Sequence, residues 1–411
     1  MIYQPENVKG FEDYLPPESL KREKIKEIAK KYFKLYGFLP VETPTIEFDE
    51  LMRSDNLEED EAVRDRFRLR DRANRNLGLR YEFTFQLAKI FKKNPNIKLP
   101  LKKYQIGTNF RDENIKAGRT REFTQCDIDI IGDPSINADA ECLAVTSDIL
   151  KELKIENTEI KINNRKLVDE IIKSVQITEK QAVLREIDKI DKIGEDQVKM
   201  NLKKYADSNQ ILSLFKLMEK DISFFKDNLF DGAQELEDLI KKCNEYGIKT
   251  TFSPRLMRGF NYYTGNIFEV SVGKTSLFGG GRYDKLVGMY LINKEIQAVG
   301  ISFSVEGLMG LCEKEINQLD LDKTKAIIIS IDKDKETIRL AQSLRKNNIG
   351  CITSFDKIGK ALEFANSYQI TYAIFVGKDE ISKKKFKLRD MKSGEESILA
   401  EKSIISKLKK D

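Results

Sequence analysis

Polar and apolar positions alternate through the second half of Phe110–Gly132, FRDENIKAGRTREFTQCDIDIIG. Arg119, Arg121, Phe123, Gln125, Asp127 and Asp129 share one parity, and Cys126, Ile128 and Ile130 share the other. Parity decides which face of a β-strand a side chain occupies. The pattern therefore predicts a strand with one face on a core. Its other face carries guanidinium, aromatic, amide and carboxylate groups. Such charges are costly to bury unless they are paired or bound to something. Cations beside carboxylates suit a ligand with both phosphate and amine character. A solvated face laced with ion pairs is the plainer reading. Phe123 among the charges and Gly118 ahead of the strand weigh against it.

Other stretches follow the helical period. Pro16 and Pro17 precede Glu18–Tyr36, whose apolar side is Ile25, Ile28, Ala29, Tyr32, Phe33 and Leu35, and Gly37 closes it. Phe38–Pro44 then reads as a short strand. Asp55–Asn76 is dense in charge and reads as a loop or hairpin. Leu77–Thr84 leads into a helix through Phe91, Ala138–Leu153 forms another, and Ile160–Arg165 gives a strand and turn. From Arg165 to Asn244 there is no proline and apolar residues recur at helical spacing, which predicts a helical insertion. Its lysines, among them Lys180, Lys189, Lys199 and Lys203, read first as a solvated face and second as a contact for RNA phosphates. Thr251–Gly310 returns to strands and glycine-rich turns, and Glu313–Lys325 reads as a linker. Beyond it, Ala326–Ile331, Ile349–Ser354 and Tyr372–Val376 alternate with helical patterns at Lys335–Asn347 and Ile358–Tyr368. That alternation indicates parallel βαβ units in a separate α/β domain.

Composition narrows the chemistry. The chain has 411 residues, 40% of them hydrophobic and 34% charged, which predicts a globular protein of two or three domains. Net charge is only +5, so any RNA binding rests on local basic clusters. Five cysteines stand without a CxxC pair, which speaks against a zinc or redox motif, and free thiols fit a reducing cytoplasm. MIYQPENVKG has no apolar core of a signal peptide, and no apolar run reaches membrane length. Histidine is absent altogether, which removes imidazole acid–base catalysis and His-ligated metals.

The string GR-x-REF-x-Q, from Gly118 to Gln125, resembles motif 2 of the class II aminoacyl-tRNA synthetases in its histidyl-tRNA synthetase version. Arg258–Gly265, RGFNYYTG, resembles the RG-x-DYY segment peculiar to histidyl-tRNA synthetases, with Asn261 where aspartate is usual. The long helix, strand and Pro44 resemble motif 1, which builds the dimer interface in that family. Leu79–Thr84 is similar to LRPE-x-T, with Tyr81 in place of proline. Phe278–Asp284, FGGGRYD, stands where the family leads one to expect it. Ala298–Leu308 occupies the place of motif 3, but Gly307 replaces its arginine.

The resemblance implies an α+β catalytic domain with an antiparallel sheet of the class II synthetase type, a helical insertion and a C-terminal α/β domain. The expected boundaries are 1–165 and 248–318 for the two parts of the catalytic domain, 166–247 for the insertion and 325–411 for an anticodon-binding-like domain. It implies ligation of L-histidine to tRNA(His) through a histidyl-adenylate, with ATP and Mg²⁺, by a cytoplasmic homodimer. Arg258 and Arg111 would be catalytic. Glu82, Thr84, Gln125, Asp129, Tyr262 and Tyr263 would bind histidine. Arg111, Glu113, Arg119, Arg121, Phe123 and Arg282 would bind ATP, and no metal is held by the protein itself. The loop Asn114–Ala117 would approach the tRNA acceptor end. Gly307 favours a competing reading, a non-catalytic paralogue that senses histidine, such as the accessory subunit of ATP phosphoribosyltransferase, and a third reading is an RNA-binding module without catalysis.

Overall fold

The computed structural model describes residues 5–52, 65–115, 118–257, 262–273, 275–291, 295–321 and 324–410. Two compact units divide the chain, Met1–Leu319 and Asp320–Asp411.

The first unit is built on one large sheet. Its strands are β1 (Leu39–Pro40), β5 (Leu101–Phe110), β6 (Glu122–Ile131), β7 (Thr158–Asn164), β8 (Thr251–Phe252), β9 (Asn266–Val272), β10 (Thr275–Arg282) and β11 (Ala298–Ser304). They lie in the order β1-β5-β6-β11-β10-β9-β7-β8. The pairs β5–β6, β6–β11, β11–β10, β10–β9 and β9–β7 are antiparallel, and the two edge pairs are parallel. The alternation in β6 sets the two faces. Cys126, Ile128 and Ile130 are buried against the Glu18–Leu35 helix, through Ile25, Ile28 and Phe33, and against the Ile136–Glu152 helix, through Leu143, Val145 and Ile149. The opposite face, with Phe123, Gln125, Asp127 and Asp129, is left for polar work.

A smaller sheet pairs β2 (Ile46–Phe48) with β4 (Asn76–Leu79) and β4 with β3 (Arg68–Arg70). β3 and β4 form a hairpin within the charge-dense stretch. Its turn is held by Asp71, which accepts from the backbone N–H groups of Ala73 at 3.0 Å and Arg75 at 2.9 Å. Residues 53–64 of the same stretch lie outside the described residues.

Residues 165–245 form short helices, from Arg165–Ser174 to Ala233–Glu245. Leu167, Val183, Leu214, Leu236 and Leu239 join the same apolar core as the sheet. Glu313–Ile316, expected as linker, is a helical turn whose Ile316 is buried in that core.

The second unit has a five-stranded sheet in the order β13-β12-β14-β15-β16. β12 (Ala326–Ser330) pairs in parallel with β13 (Cys351–Ser354) and β14 (Tyr372–Val376). The expected helices are there as Asp334–Lys346 and Ile358–Ser367. Sequence reading did not anticipate the antiparallel pair β15 (Phe386–Asp390) and β16 (Glu396–Leu399), or the closing helix Glu401–Lys410. All five cysteines are buried free thiols. Among the described residues no helix is long and apolar enough to cross a membrane.

Candidate active site

Strand register places the polar side chains. Lys103 of β5 faces Asp129 of β6, which faces Gly300 of β11, which faces Gly281 of β10. A Cβ at Gly300 would collide with the Asp129 carboxylate. At Gly281 it would lie 2.7 Å from the Asn266 carbonyl oxygen and 3.0 Å from the Tyr263 ring. The two glycines thus make a floor on which Asp129 and Tyr263 lie.

Glu82, Thr84, Gln125 and Asp129 are all buried here. Glu82 accepts from the Phe85 N–H at 2.7 Å, at the start of the Phe85–Lys93 helix. Burial pushes its carboxyl above the ordinary glutamate value, opposed by hydrogen bonds from Thr84 and Phe85, and the Asp129 charge adds to the rise. Tyr262 packs on Tyr263 at 4.9 Å, on Tyr283 at 5.8 Å and on Phe85 at 5.9 Å between ring centroids. Burial raises its hydroxyl well above the ordinary tyrosine value, with Tyr263 and Glu82 adding to this. Gln125 is oriented by Asn109, whose amide donates to it at 2.8 Å.

Arg111 leaves β5 beside this group. Its Nε donates to the Tyr81 carbonyl at 3.1 Å, and its guanidinium lies 5.0 Å over the Phe123 ring. Burial lowers its pKa, while Glu113 and Glu82 oppose the shift. The loop beyond it is more open. Arg119 pairs with Glu113 at 3.4 Å, and Arg121 with Asp112 at 3.1 Å. Of the acceptor-end loop, Asn114 and Ile115 are described, and residues 116 and 117 are not. Arg258 and Asn261 also lie outside the described residues.

Arg282 is not brought to this phosphate-facing end. Its Nε donates to Asp139 at 3.1 Å, and its two Nη atoms donate to the carbonyls of Asp133 and Ser135, each at 3.1 Å. It faces Val299, which faces Ile130, nine residues along β6 and its lead-in from Arg121. At ~3.3 Å per residue that is about 30 Å. Its reading as an ATP ligand therefore gives way to a structural one, a clamp on Asp139. Asn266 joins that clamp by donating to Asp139 at 3.1 Å.

Gly307 opens the helix that follows β11, where Ser304 caps it by accepting from the Gly307 N–H at 3.0 Å. Gly118 of the loop packs on it: a Cβ at Gly118 would lie 3.4 Å from the Gly307 Cα. Arg22, on the Glu18–Leu35 helix, pairs with the adjacent Glu306 at 2.7 Å and donates to Thr124 at 2.9 Å. That commits it to the apolar-parity side of β6.

Sequence reasoning missed Lys103 and Tyr283. Tyr283 donates its hydroxyl to Asp129. Lys103 is wholly buried and pairs with Asp127 at 2.5 Å and with Asp129. The available signal was two carboxylates at i and i+2 on a core strand, which call for a cation on the neighbouring strand.

The histidyl-tRNA synthetase family matches residues 10–308, and the anticodon-binding-domain family matches residues 325–411. Histidine–tRNA ligase 1 of Bacillus cereus is 38% identical over 95% of this chain and 94% of its own length. A Helicobacter pylori histidine–tRNA ligase is 31% identical, over 95% of this chain and 94% of its own length. The crystal structure of histidyl-tRNA synthetase from Nostoc superposes with a TM-score of 0.86 at 25% identity, covering 99% of both chains. A Bacillus halodurans structure titled as an ATP phosphoribosyltransferase regulatory subunit/histidyl-tRNA synthetase shares the fold at a TM-score of 0.72 and 20% identity, covering 91% of this chain and 99% of its own. With one family match spanning 10–308 and full-length relatives above 30% identity, this chain belongs to the histidyl-tRNA synthetase family.

Proposed function

We propose that this chain ligates L-histidine to tRNA(His), through attack of the histidine carboxylate on the α-phosphorus of ATP. One observation carries the reading of the site. A buried acid, Glu82, directly follows Tyr81, whose carbonyl holds the half-buried Arg111 at 3.1 Å, beside a floor of paired charges and tyrosines. Adenylate formation needs in-line positioning and charge stabilisation more than a protein base. Arginine suits it because its planar fork grips phosphate and carboxylate oxygens. A chain without histidine can therefore do this work.

In this reading Glu82, Thr84 and Gln125 hold the substrate ammonium. Asp129, Tyr262, Tyr263 and Tyr283 surround the imidazole. Arg111, with Arg258, holds the α-phosphate and the attacking carboxylate. Adenine stacks on Phe123. Arg119 and Arg121 meet the outer phosphates. Arg119 directly follows Gly118, which packs on Gly307, so it is the cation we assign to the duty of the missing motif 3 arginine. Mg²⁺ arrives with the triphosphate as substrate, since Mg²⁺ is commonly held by phosphates, waters and one or two carboxylates. Glu113 is the carboxylate at that end.

The second unit would read the anticodon, as its family match suggests. Exposed Leu35, Leu39, Ile46 and Phe48 support a dimer face around the Glu18–Leu35 helix and β1–β2. The reading places the protein in the cytoplasm. Histidine-dependent exchange of pyrophosphate into ATP, followed by charging of tRNA(His), tests it. Exchange and charging are expected, and histidine binding without exchange would favour the sensing paralogue.

A further inference from the structure

Lys103 is a long side chain with no solvent contact, inside a strand, on the face that holds the site. An unpaired buried ammonium is very costly. Here it is paired twice, with Asp127 at 2.5 Å and with Asp129. The other oxygen of Asp129 accepts from the Tyr283 hydroxyl. The second Asp127 oxygen is met by the Gln125 amide at 3.5 Å. An unbroken polar chain thus runs Asn109–Gln125–Asp127–Lys103–Asp129–Tyr283, across β5 and β6 to the end of β10.

The polarity of this chain has a chemical consequence. A phenol hydroxyl has one proton to give. If Asp129 is an anion it can only accept, so Tyr283 must donate inward. The Tyr283 oxygen then has only lone pairs to offer a third group. If Asp129 were a neutral acid, it could donate to Tyr283, and the phenol proton would be free to point at the ligand. Two carboxylates this close and this buried resist holding two charges without a cation. Asp127 shows that pressure: burial, then the Asp129 charge, push its carboxyl well above the ordinary aspartate value.

We propose that Lys103 is a positioning residue for amino-acid specificity: by pairing with Asp129 it keeps that carboxylate the acceptor of the Tyr283 proton, so that the Tyr283 hydroxyl meets the ligand as an acceptor and selects side-chain rings that present an N–H. This rests on the histidine-ligase reading above. It separates imidazole, which carries a ring N–H, from an isosteric ring with only a bare nitrogen, such as the thiazole of β-(2-thiazolyl)alanine. A site built to bond a donor rejects an analogue lacking it because its own buried acceptor is left unpaired.

The test uses the full chain and ATP–pyrophosphate exchange with L-histidine and with β-(2-thiazolyl)alanine. Wild-type exchange with histidine tests the underlying reading separately: its absence would sink that reading and this proposal with it, whereas wild-type exchange with unchanged selectivity in the variant would sink this proposal alone. In Lys103→Met we expect the KM for histidine to rise at least tenfold with the KM for ATP unchanged. The histidine-to-thiazolylalanine ratio of kcat/KM should fall at least tenfold. Lys103→Arg, which keeps the cation, should restore most of that ratio, whereas a merely structural role would lower kcat and stability without changing it. Should Lys103→Met be too unstable to assay, Asp127→Asn is the second variant. It keeps Lys103 and lets the cation serve Asp129 alone, so the ratio should hold within about threefold. An unchanged ratio in a folded Lys103→Met, or a collapsed ratio in Asp127→Asn, overturns the proposal.

Discussion

The β5–β6 hairpin has two ends built on opposite principles. At the inner end, Lys103, Asp127 and Asp129 are buried and already paired with one another. At the outer end the Arg119 side chain is 54% exposed and that of Arg121 is 28% exposed, and each leans on a single carboxylate. Recognition of a small ring needs donors and acceptors fixed before the ligand arrives, since only then does the wrong ring leave something unpaired. A grip on a triphosphate needs cations that can leave their resting partners cheaply, and exposed pairs of this kind are worth ~1 kcal/mol or less. One hairpin thus carries a rigid, internally paired reader and a loose, exchangeable clamp about nine residues apart.

The largest expected effect marks where the rigid side stops being substrate-facing. Arg282→Ala leaves Asp139 buried without its cation, a loss of about 3–5 kcal/mol of stability. Thermal unfolding should show it, while the ATP KM of the folded fraction stays near wild type. A large rise in that KM would return Arg282 to the phosphates. Next, Arg111→Ala should slow histidine-dependent exchange by about 10²–10³-fold, the usual cost of removing one preorganised donor. A fall of less than about fivefold would remove Arg111 from the reacting centre.

Glu82→Gln should weaken histidine about 10- to 100-fold, the range for a hydrogen bond to a charged group of about 1.5–3 kcal/mol. It also has a stability signature. Glu82 is held above the ordinary value of 4.5 in the fold, so the folded state binds its proton more readily than the unfolded chain. That contribution is complete below the unfolded value and lost as pH rises through the folded one. Glu82→Gln should therefore raise Tm at pH 8 relative to wild type, with the gain shrinking toward pH 5. A gain that grows on acidification would contradict the sign. The smallest structural effect belongs to Arg119→Ala. Tm should stay within about a degree, given the exposed pair it loses, while the ATP KM rises several-fold.

Much of this was legible in the chain itself. The parity of β6 fixed which residues face the site, and the βαβ alternation of the second unit read correctly because strand and helix periods differ. The pair β15–β16 escaped because Phe386–Asp390, FKLRD, and Glu396–Leu399, ESIL, are short and polar, with little apolar run to announce a strand. Arg282 was misplaced for a different reason. Arginine beside a glycine triplet looks like a phosphate cradle, and only the register reveals Asp139 as its partner. Lys103 escaped because a lysine in LKKYQIG reads as solvent-facing until the neighbouring strand supplies two carboxylates.

The most direct test is a crystal structure of the full chain with histidinol and an ATP analogue that cannot be cleaved at the α-phosphate. The imidazole should lie against Tyr283 at the Lys103–Asp129 end, with the triphosphate running past Arg111 toward Arg119. Nucleotide at the Arg282 end of the sheet, or a ring bound away from Tyr283, would contradict the division of the hairpin into reader and clamp.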